Sequence, residues 1–459
     1  MKIRPLLYSS ASKLIVLCLT FSSCKKFIEV PIPVNQQATV TVFSDEATAT
    51  SAVNGLYSSM MIQNFGILNS GITLYPALSA DELINTNPNA TISSFTENTL
   101  NSENTIIEFD LWKRSFNYIY QTNAILKGLS NSNSLSMAVK NQLMGEAKFV
   151  RALCYFYLIN IFGDVPYIVT TDYQENSVAA RVPKATIYNS IQTELQEASN
   201  LLGNDYPSTG KVRPNKWAAI SLLARVYLYR ENWAAAEQTA SLVINSGIYS
   251  LSGLNNVFVA NSTEVIWQLM PVLTFLNTAD GLTFIPFSAT VRPAYGLTAQ
   301  LMNSFETGDQ RLSSWTKSNI VSGVVYYYPF KYKVRSGSAV TEYNTLFRLP
   351  ELYLIRAEAR TMQNKIAEAK TDLNVIRTRA GLSNSSAGSQ VSMVTAIEHE
   401  RQIEFFAECG HRWFDLKRTG RADAVLGSIK TSWQATDALY PIPLTDIQTN
   451  PSLTQNPGY

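Results

Sequence analysis

Residues 224–243, ARVYLYRENWAAAEQTASLV, and residues 357–376, AEARTMQNKIAEAKTDLNVI, carry one pattern in two copies. Ala224, Trp233, Ala236, Ala240 and Val243 match Ala357, Ile366, Ala369, Leu373 and Ile376. In each copy a helical run breaks, at Glu231-Asn232 or at Gln363-Asn364, and then resumes with apolar residues three or four apart. Small residues stand where the two helices would cross, which lets their backbones approach closely. That is the helix-turn-helix unit of a tetratricopeptide array. The copies are not tandem, so the pattern predicts a bundle of helical pairs rather than a regular solenoid.

The same period extends outward from these copies. Residues 141–162 place Leu143, Ala147, Val150, Cys154, Tyr157 and Ile161 on one face, and Gly163 stops the helix. Residues 111–129 do likewise through Trp112, Phe116, Ile119, Asn123 and Leu126. Ser44 reads as the N-cap of a helix whose apolar face holds Ala49, Ala52, Val53 and Leu56. Two stretches lose the period, about 63–110 and 248–345. In the second, Val265, Trp267 and Leu269 alternate as a short strand, and Asp280-Gly281 and Ser336-Gly337-Ser338 mark turns. The predicted fold is therefore mainly α: a helical-pair scaffold with a loop-rich face and a few short strands. Long loops on a rigid scaffold are where function concentrates.

At the start of the chain, Lys2, Arg4 and Lys13 precede the apolar run Leu14 to Leu19. Residues 1–23 have the layout of a signal peptide, with an apolar stretch too short to span a bilayer. Ser22-Ser23-Cys24 looks like a bacterial lipoprotein cleavage site, which would make Cys24 the acylated N-terminus. The rival Cys18 follows Leu17, too large for the cleavage position. Residues 24–42, containing Val30-Pro31-Ile32-Pro33, read as an extended tether, and 43–459 as one body. Cys154 and Cys409 have no CxxC partner and read as buried thiols, with one disulfide between them left open.

Composition narrows the function. Of 459 residues, 37 Lys and Arg stand against 35 Asp and Glu with no block of like charge, which gives no footprint for nucleic acid. Charged residues make up only 16%, and the balance of polar and Tyr residues suits neutral, hydroxyl-rich ligands. His399 and His411 are the only histidines and form no metal-binding spacing. No GxSxG elbow, phosphate loop or GxGxxG motif occurs. Ser314 to Lys317 matches SxxK without a companion motif. The most enzyme-like spacing is Glu400, Glu404 and Glu408, a possible acid and base pair for a glycan hydrolase. The alternative is a charged face compensated by Arg401, Arg412 and Lys417.

Taken in order, these blocks resemble one family. They begin with Cys24, the tether, and the Phe43 to Tyr57 helix ending Val53-Asn54-Gly55-Leu56-Tyr57. The run Glu146 to Leu158, with Arg151 inside it, leads to Phe162-Gly163-Asp164-Val165-Pro166. Arg213, Lys216, Ala218 and Ala219 open the first helical pair, and Arg348 to Ala359 opens the second. Asn374, Arg377, Arg379, Gly381 and Leu382 follow, then Glu400, Arg401, Glu404 and Glu408 with Gly410 to Leu416. Pro441-Ile442-Pro443 and Gln455 to Tyr459 close the chain. Over nearly its whole length the chain is similar to the SusD/RagB family of outer-membrane nutrient-binding lipoproteins.

The resemblance implies four tetratricopeptide-like helical pairs behind a ligand-binding face, with no catalytic residue; no cofactor or metal ligand is expected from the residues, and a structural metal ion is left open. It implies a surface lipoprotein of the outer membrane, held by its N-terminal lipid, that partners a SusC-like TonB-dependent transporter and passes it oligosaccharides or, in the RagB branch, peptides. Arg151, Asp164, Glu400, Glu404, Arg412 and Asp415 would then be ion pairs and caps that fasten helices.

A sugar presents C–H ring faces and hydroxyl rims, so its site needs flat aromatics with amides and carboxylates beside them. The irregular stretches offer Phe65, Tyr75, Asp81, Asn85, Asn87 and Phe95, and then Phe287, Arg292, Tyr295, Trp315 and Tyr326 to Tyr328. Trp267 alternates with core residues and is set aside, and on a strand only Tyr326 and Tyr328 of the tyrosine run share a face. The candidate set is Tyr75, Asp81, Asn85, Phe95, Arg292, Tyr295, Trp315, Tyr326 and Tyr328, with Trp315 and Tyr295 foremost.

Overall fold

The computed structural model describes residues 39–459. The leader at 1–23, Cys24 and most of the tether lie outside the described residues. The tether's last residues, expected to be extended, form a helical turn, Thr39–Val42. Thr48 Oγ1 donates to the Val42 carbonyl at 2.6 Å and ties that turn to the next helix, Glu46–Met61. That helix is capped by Asp45, whose carboxylate accepts from the N–H groups of Ala47 and Thr48, both at 3.0 Å. The expected cap, Ser44, instead donates backward to Thr41 at 2.8 Å.

The repeat seen in the sequence is also a repeat in space. Lys216–Tyr229 pairs with Trp233–Ile244, and Leu349–Met362 with Ile366–Arg379. All matched alanines are fully buried. The turns agree in detail: Glu231 and Asn364 are both left-handed, with φ of 57° and 61°. In each, an N–H reaches back across the helix end, Asn232 to Tyr227 at 2.9 Å and Lys365 to Arg360 at 2.8 Å, the Schellman closure.

The remaining helices stack on these pairs. Arg114–Asn131 packs on Met137–Phe162, which packs on Lys184–Leu201, which packs on Lys216–Tyr229. From Phe149 to Phe162 every residue of the second helix is buried, as its all-round apolar composition requires. Gly163, at φ 75°, ends it. Strands occur among the described residues as four antiparallel pairs. Val265–Leu269 pairs with Asn344–Arg348 and is buried throughout, so Trp267 is core. Its ring meets Phe149 edge-on at 4.9 Å.

The two irregular stretches hold more helix than their sequence suggests. Ser70–Ser79 is a helix buried on every side, with Pro76 inside it. A residue run with no polar face leaves no period to read. Cys154 and Cys409 are both buried free thiols.

Candidate functional site

Glu400 and Glu404 point inward from the Gln390–Phe405 helix and are fully buried. One nitrogen of Arg311, Nη1, donates to Glu400 at 2.6 Å and to Glu404 at 3.0 Å. Arg348 and Arg379 also reach Glu404, and Arg348 continues to Glu408 at 2.6 Å, which Lys331 meets at 2.9 Å. Burial alone would raise the Glu404 carboxyl, but Arg379, Arg348 and Arg311 outweigh it and hold the group below the usual carboxylate range. Burial raises Glu400, with Arg311 opposing it. Each carboxylate is thus committed to a guanidinium or ammonium group and closed to solvent. The expected partners Arg401, Arg412 and Lys417 serve elsewhere. Arg401 pairs with Asp415 and Arg412 with Asp81, both at 2.7 Å, while Lys417 donates to the Asn160 carbonyl. Adjacent residues on a helix diverge around its axis, so Glu400 and Arg401 cannot face one another.

Two further tie residues sit where helices meet. Arg151 donates to Glu194 at 2.5 Å and to Asn123 at 2.7 Å. Asp164 accepts from the N–H of Lys184, the first residue of its helix, at 2.7 Å.

This charged lattice claims one of the candidate aromatics. Trp315 is wholly buried, its ring 4.9 Å from Lys331 Nζ and 5.4 Å from the Arg379 guanidinium, and its indole N–H donates to Leu254 at 2.9 Å. Cations prefer the face of an aromatic ring, and here they occupy it, so no face is left for a sugar. Tyr75 and Phe95 are buried and stacked on each other at 4.9 Å, and Tyr75 donates to Asp110 at 3.1 Å. Asp81 is spent on Arg412 with both oxygens, at 2.8 and 2.7 Å. Tyr295 and Tyr328 are also buried. Polar neighbours and turn signals suggested exposure for Trp315 and Tyr295, but tertiary packing covers them as it does the other buried candidates.

The remaining candidates are brought together. Strand Leu83–Asn85, from the first irregular stretch, pairs antiparallel with Tyr295–Leu297 from the second, setting Asn85 opposite Tyr295. Thr86 extends the joint, its N–H donating to Ala294 at 3.0 Å. Against Tyr295–Leu297 packs the hairpin Thr316–Val321 and Val324–Pro329. Its turn, Ser322-Gly323, has φ of 51° and 79°, the left-handed pair that matches strand twist. Buried Asn319 docks the hairpin, donating to the carbonyls of Ser288 at 2.9 Å and Val291 at 2.6 Å. Tyr326 lies opposite Asn319 with the Arg292 guanidinium 6.0 Å from its ring.

Alternation turns the other hairpin face outward: Ile320 is 66% exposed, Val325 is exposed beside it, and Tyr327 is 41% exposed. Phe287, in the loop that Asn319 holds, is 81% exposed. Tyr327 is absent from the candidate set because alternation separates the faces without saying which one looks out. Phe287 is absent from it too, having no period around it. A separate cleft of about 510 Å³, bordered by Phe43, Tyr120, Lys127 and Thr171, lies on other elements and holds none of these residues.

Two family models match the chain. One, described as "Starch-binding associating with outer membrane", covers residues 27–228, and one described as "SusD family" covers 287–459. They meet the helical scaffold and the hairpin-bearing half in turn. The chain belongs to the SusD/RagB family.

Other members are recognisable along most of their length. SusD-like protein P25 of Formosa agariphila is 26% identical over 95% of this chain and 97% of its own. Starch-binding protein SusD of Bacteroides thetaiotaomicron is 24% identical over 72% of this chain and 75% of its own. A SusD superfamily protein from Bacteroides vulgatus superposes with a TM-score of 0.81 at 24% identity, covering 91% of this chain and 100% of that one, and shares the fold.

Proposed function

We propose that this SusD-family chain binds oligosaccharides without altering them, on the surface around the hairpin, where Phe287, Arg292 and Tyr326 gather on one side and Tyr327 looks out from the other. It does so as an outer-membrane lipoprotein acylated at Cys24 that hands its cargo to a SusC-like TonB-dependent transporter. The observation that carries the reading is the outward placement of Phe287 and Tyr327 on segments fastened to a rigid frame. Aromatic faces held at low entropic cost are what a sugar ring stacks on. Arg292, in the same loop as Phe287 and over the Tyr326 ring, stands by as a polar group for hydroxyl rims, while the Asn85 amide is taken within its own turn by Ser93 and Asn87. A relative named a starch-binding protein and a family model described as starch-binding support the ligand class. Glu400 and Glu404, the candidate acid and base of a hydrolase, are closed to solvent and ion-paired, which supports binding over hydrolysis.

The test is an array of neutral and acidic glycans probed with the purified chain, paired with a reducing-end assay on any glycan it retains. Retention without new reducing ends is the expected result. Retention of no glycan, or cleavage of a retained one, would overturn the proposal.

A further inference from the structure

The segment that forms the proposed face is electrostatically lopsided. Between residues 285 and 340 the only carboxylates are Glu306 and Asp309, and both are taken, by Arg377 at 2.6 Å and by Arg311 at 2.8 Å. The same segment carries Arg292, Lys317 and Arg335, and none of these pairs with a carboxylate among the described residues. Arg292 and Lys317 are exposed and make no side-chain hydrogen bond among the described residues. Arg335 is half-buried and spends only Nε, on the Ile285 carbonyl at 3.1 Å. The nearby carboxylates of Glu342 and Asp280 are buried beneath the face. Glu342 turns inward to the N–H groups of Lys333 at 2.6 Å and Val334 at 3.0 Å.

Each free cation is seated on an aromatic ring. The Arg292 guanidinium lies 6.0 Å from Tyr326, that of Arg335 5.6 Å from Phe287, and Lys317 Nζ 4.9 Å from Phe330. The pairs adjoin one another. Phe287 and Arg292 share the loop held by Asn319, Asn319 lies opposite Tyr326 in the hairpin, and Lys317 lies two residues before Asn319 on the same strand face. A cation over one face of a ring leaves the other face for stacking where that ring is open to solvent, as the 81% exposed Phe287 is, and so offers a stacking surface and a charge together. A neutral sugar would use the ring and leave the cation to water. A sugar bearing a carboxylate or sulfate would use both, since a guanidinium matches those groups with paired N–H donors.

We propose that the ligand of this face is an acidic glycan, a polymer of uronate or sulfated sugars, read by Arg292, Lys317 and Arg335 over their rings. This departs from the neutral ligand suggested by whole-chain composition, because chain-wide balance hides a local excess. It rests on the glycan-binding reading above.

Titration of the purified chain with polygalacturonate, a sulfated galactan, amylose and laminarin separates the two. The acidic polymers are expected to bind and the neutral ones to bind at least about tenfold more weakly, with acidic binding falling as NaCl rises from about 50 to about 500 mM. Arg292→Gln and Arg335→Gln are each expected to weaken acidic binding about tenfold with the melting temperature unchanged. Equal or tighter binding of a neutral polymer, or acidic binding indifferent to both variants, overturns this inference and leaves the glycan reading standing. Binding of polyglutamate as tight as that of polygalacturonate overturns it in favour of an acidic peptide. Failure of every glycan, acidic and neutral, removes the underlying reading itself.

Discussion

Arg225 and Glu351 meet inside the molecule in a two-pronged ion pair, Nε to Oε1 at 2.5 Å and Nη2 to Oε2 at 2.7 Å. They stand on the first helices of the two repeat copies, Lys216–Tyr229 and Leu349–Met362, so one side-chain pair bolts one copy to the other. Removing one partner strands a charge in the core, whereas removing both leaves a gap that apolar groups can fill. Glu351→Ala is expected to cost about 3–5 kcal/mol in urea unfolding, and Arg225→Met with Glu351→Leu to recover most of it. A double variant as damaged as the single one would mean that the charges themselves are required.

Glu404 takes the attention of Arg311, Arg348 and Arg379. Glu404→Gln leaves three cations with one acceptor fewer and is expected to destabilise by about 3–5 kcal/mol. Because these cations lower the carboxyl's folded value, its contribution is complete above the usual carboxylate range and is lost as pH falls through that lowered value. Thermal melts of parent and variant should therefore lie closer together at pH 3 than at pH 7, without meeting.

Glu82 presents the opposite case. It is buried, with Oε2 accepting from the Ala407 N–H at 3.3 Å and Oε1 unpartnered. Burial first, then Asp81, pushes its carboxyl up to about 8, against the pull of Arg412 and Lys331. An acid raised in the folded state contributes stability that is present below the usual range and lost as pH climbs toward the raised value. Glu82→Gln, which copies the protonated form, is expected to match the parent near pH 5 and to exceed it by pH 8. The gap should open by about 1.4 kcal/mol per pH unit at most. Parallel urea midpoints across that interval would sink the idea.

Gly128 lies under Phe43, where an added Cβ would fall 2.1 Å from the ring. Helix propensity alone favours alanine by about 1 kcal/mol. The clash is expected to reverse that sign, so Gly128→Ala should lower stability by about 1–3 kcal/mol. Phe43→Leu in the same chain should restore part of the loss, read as melting temperature.

The placement of the face predicts a split between two aromatic residues. Trp315→Ala is expected to cost about 3–5 kcal/mol in stability, because it empties a core site. Tyr327→Ala should leave the melting temperature unchanged and weaken binding of whichever glycan the parent retains. If Tyr327→Ala bound that glycan as the parent does, the outward hairpin face would not be the contact surface.

The scaffold was legible because its signal is local. Ala224 and Ala357 stand in matching surroundings, and the burial of both follows from spacing alone. The long helix ending at Gly163 was legible for the same reason. The charged motif was legible as structural, but its partners were not. Arg311, Arg348 and Arg379 come from three segments that no sequence spacing connects to Glu404.

Of the proposed ligand face, the sequence marks the irregular stretches that form it but does not separate exposed aromatics from buried ones. Trp315 and Tyr327 both lie in an irregular stretch, yet one is sealed under cations and the other looks out. Only the docking of the hairpin through Asn319 decides between them. Asp81 was misread because its partner Arg412 is remote in the chain.

The Ser322-Gly323 turn sets the register of its hairpin from within. Residues such as Ile320, Val325 and Tyr327 therefore contribute almost nothing to holding the molecule upright. Substitution at these positions is cheap in folding stability, so the outward surface can be rewritten without disturbing the frame that carries it.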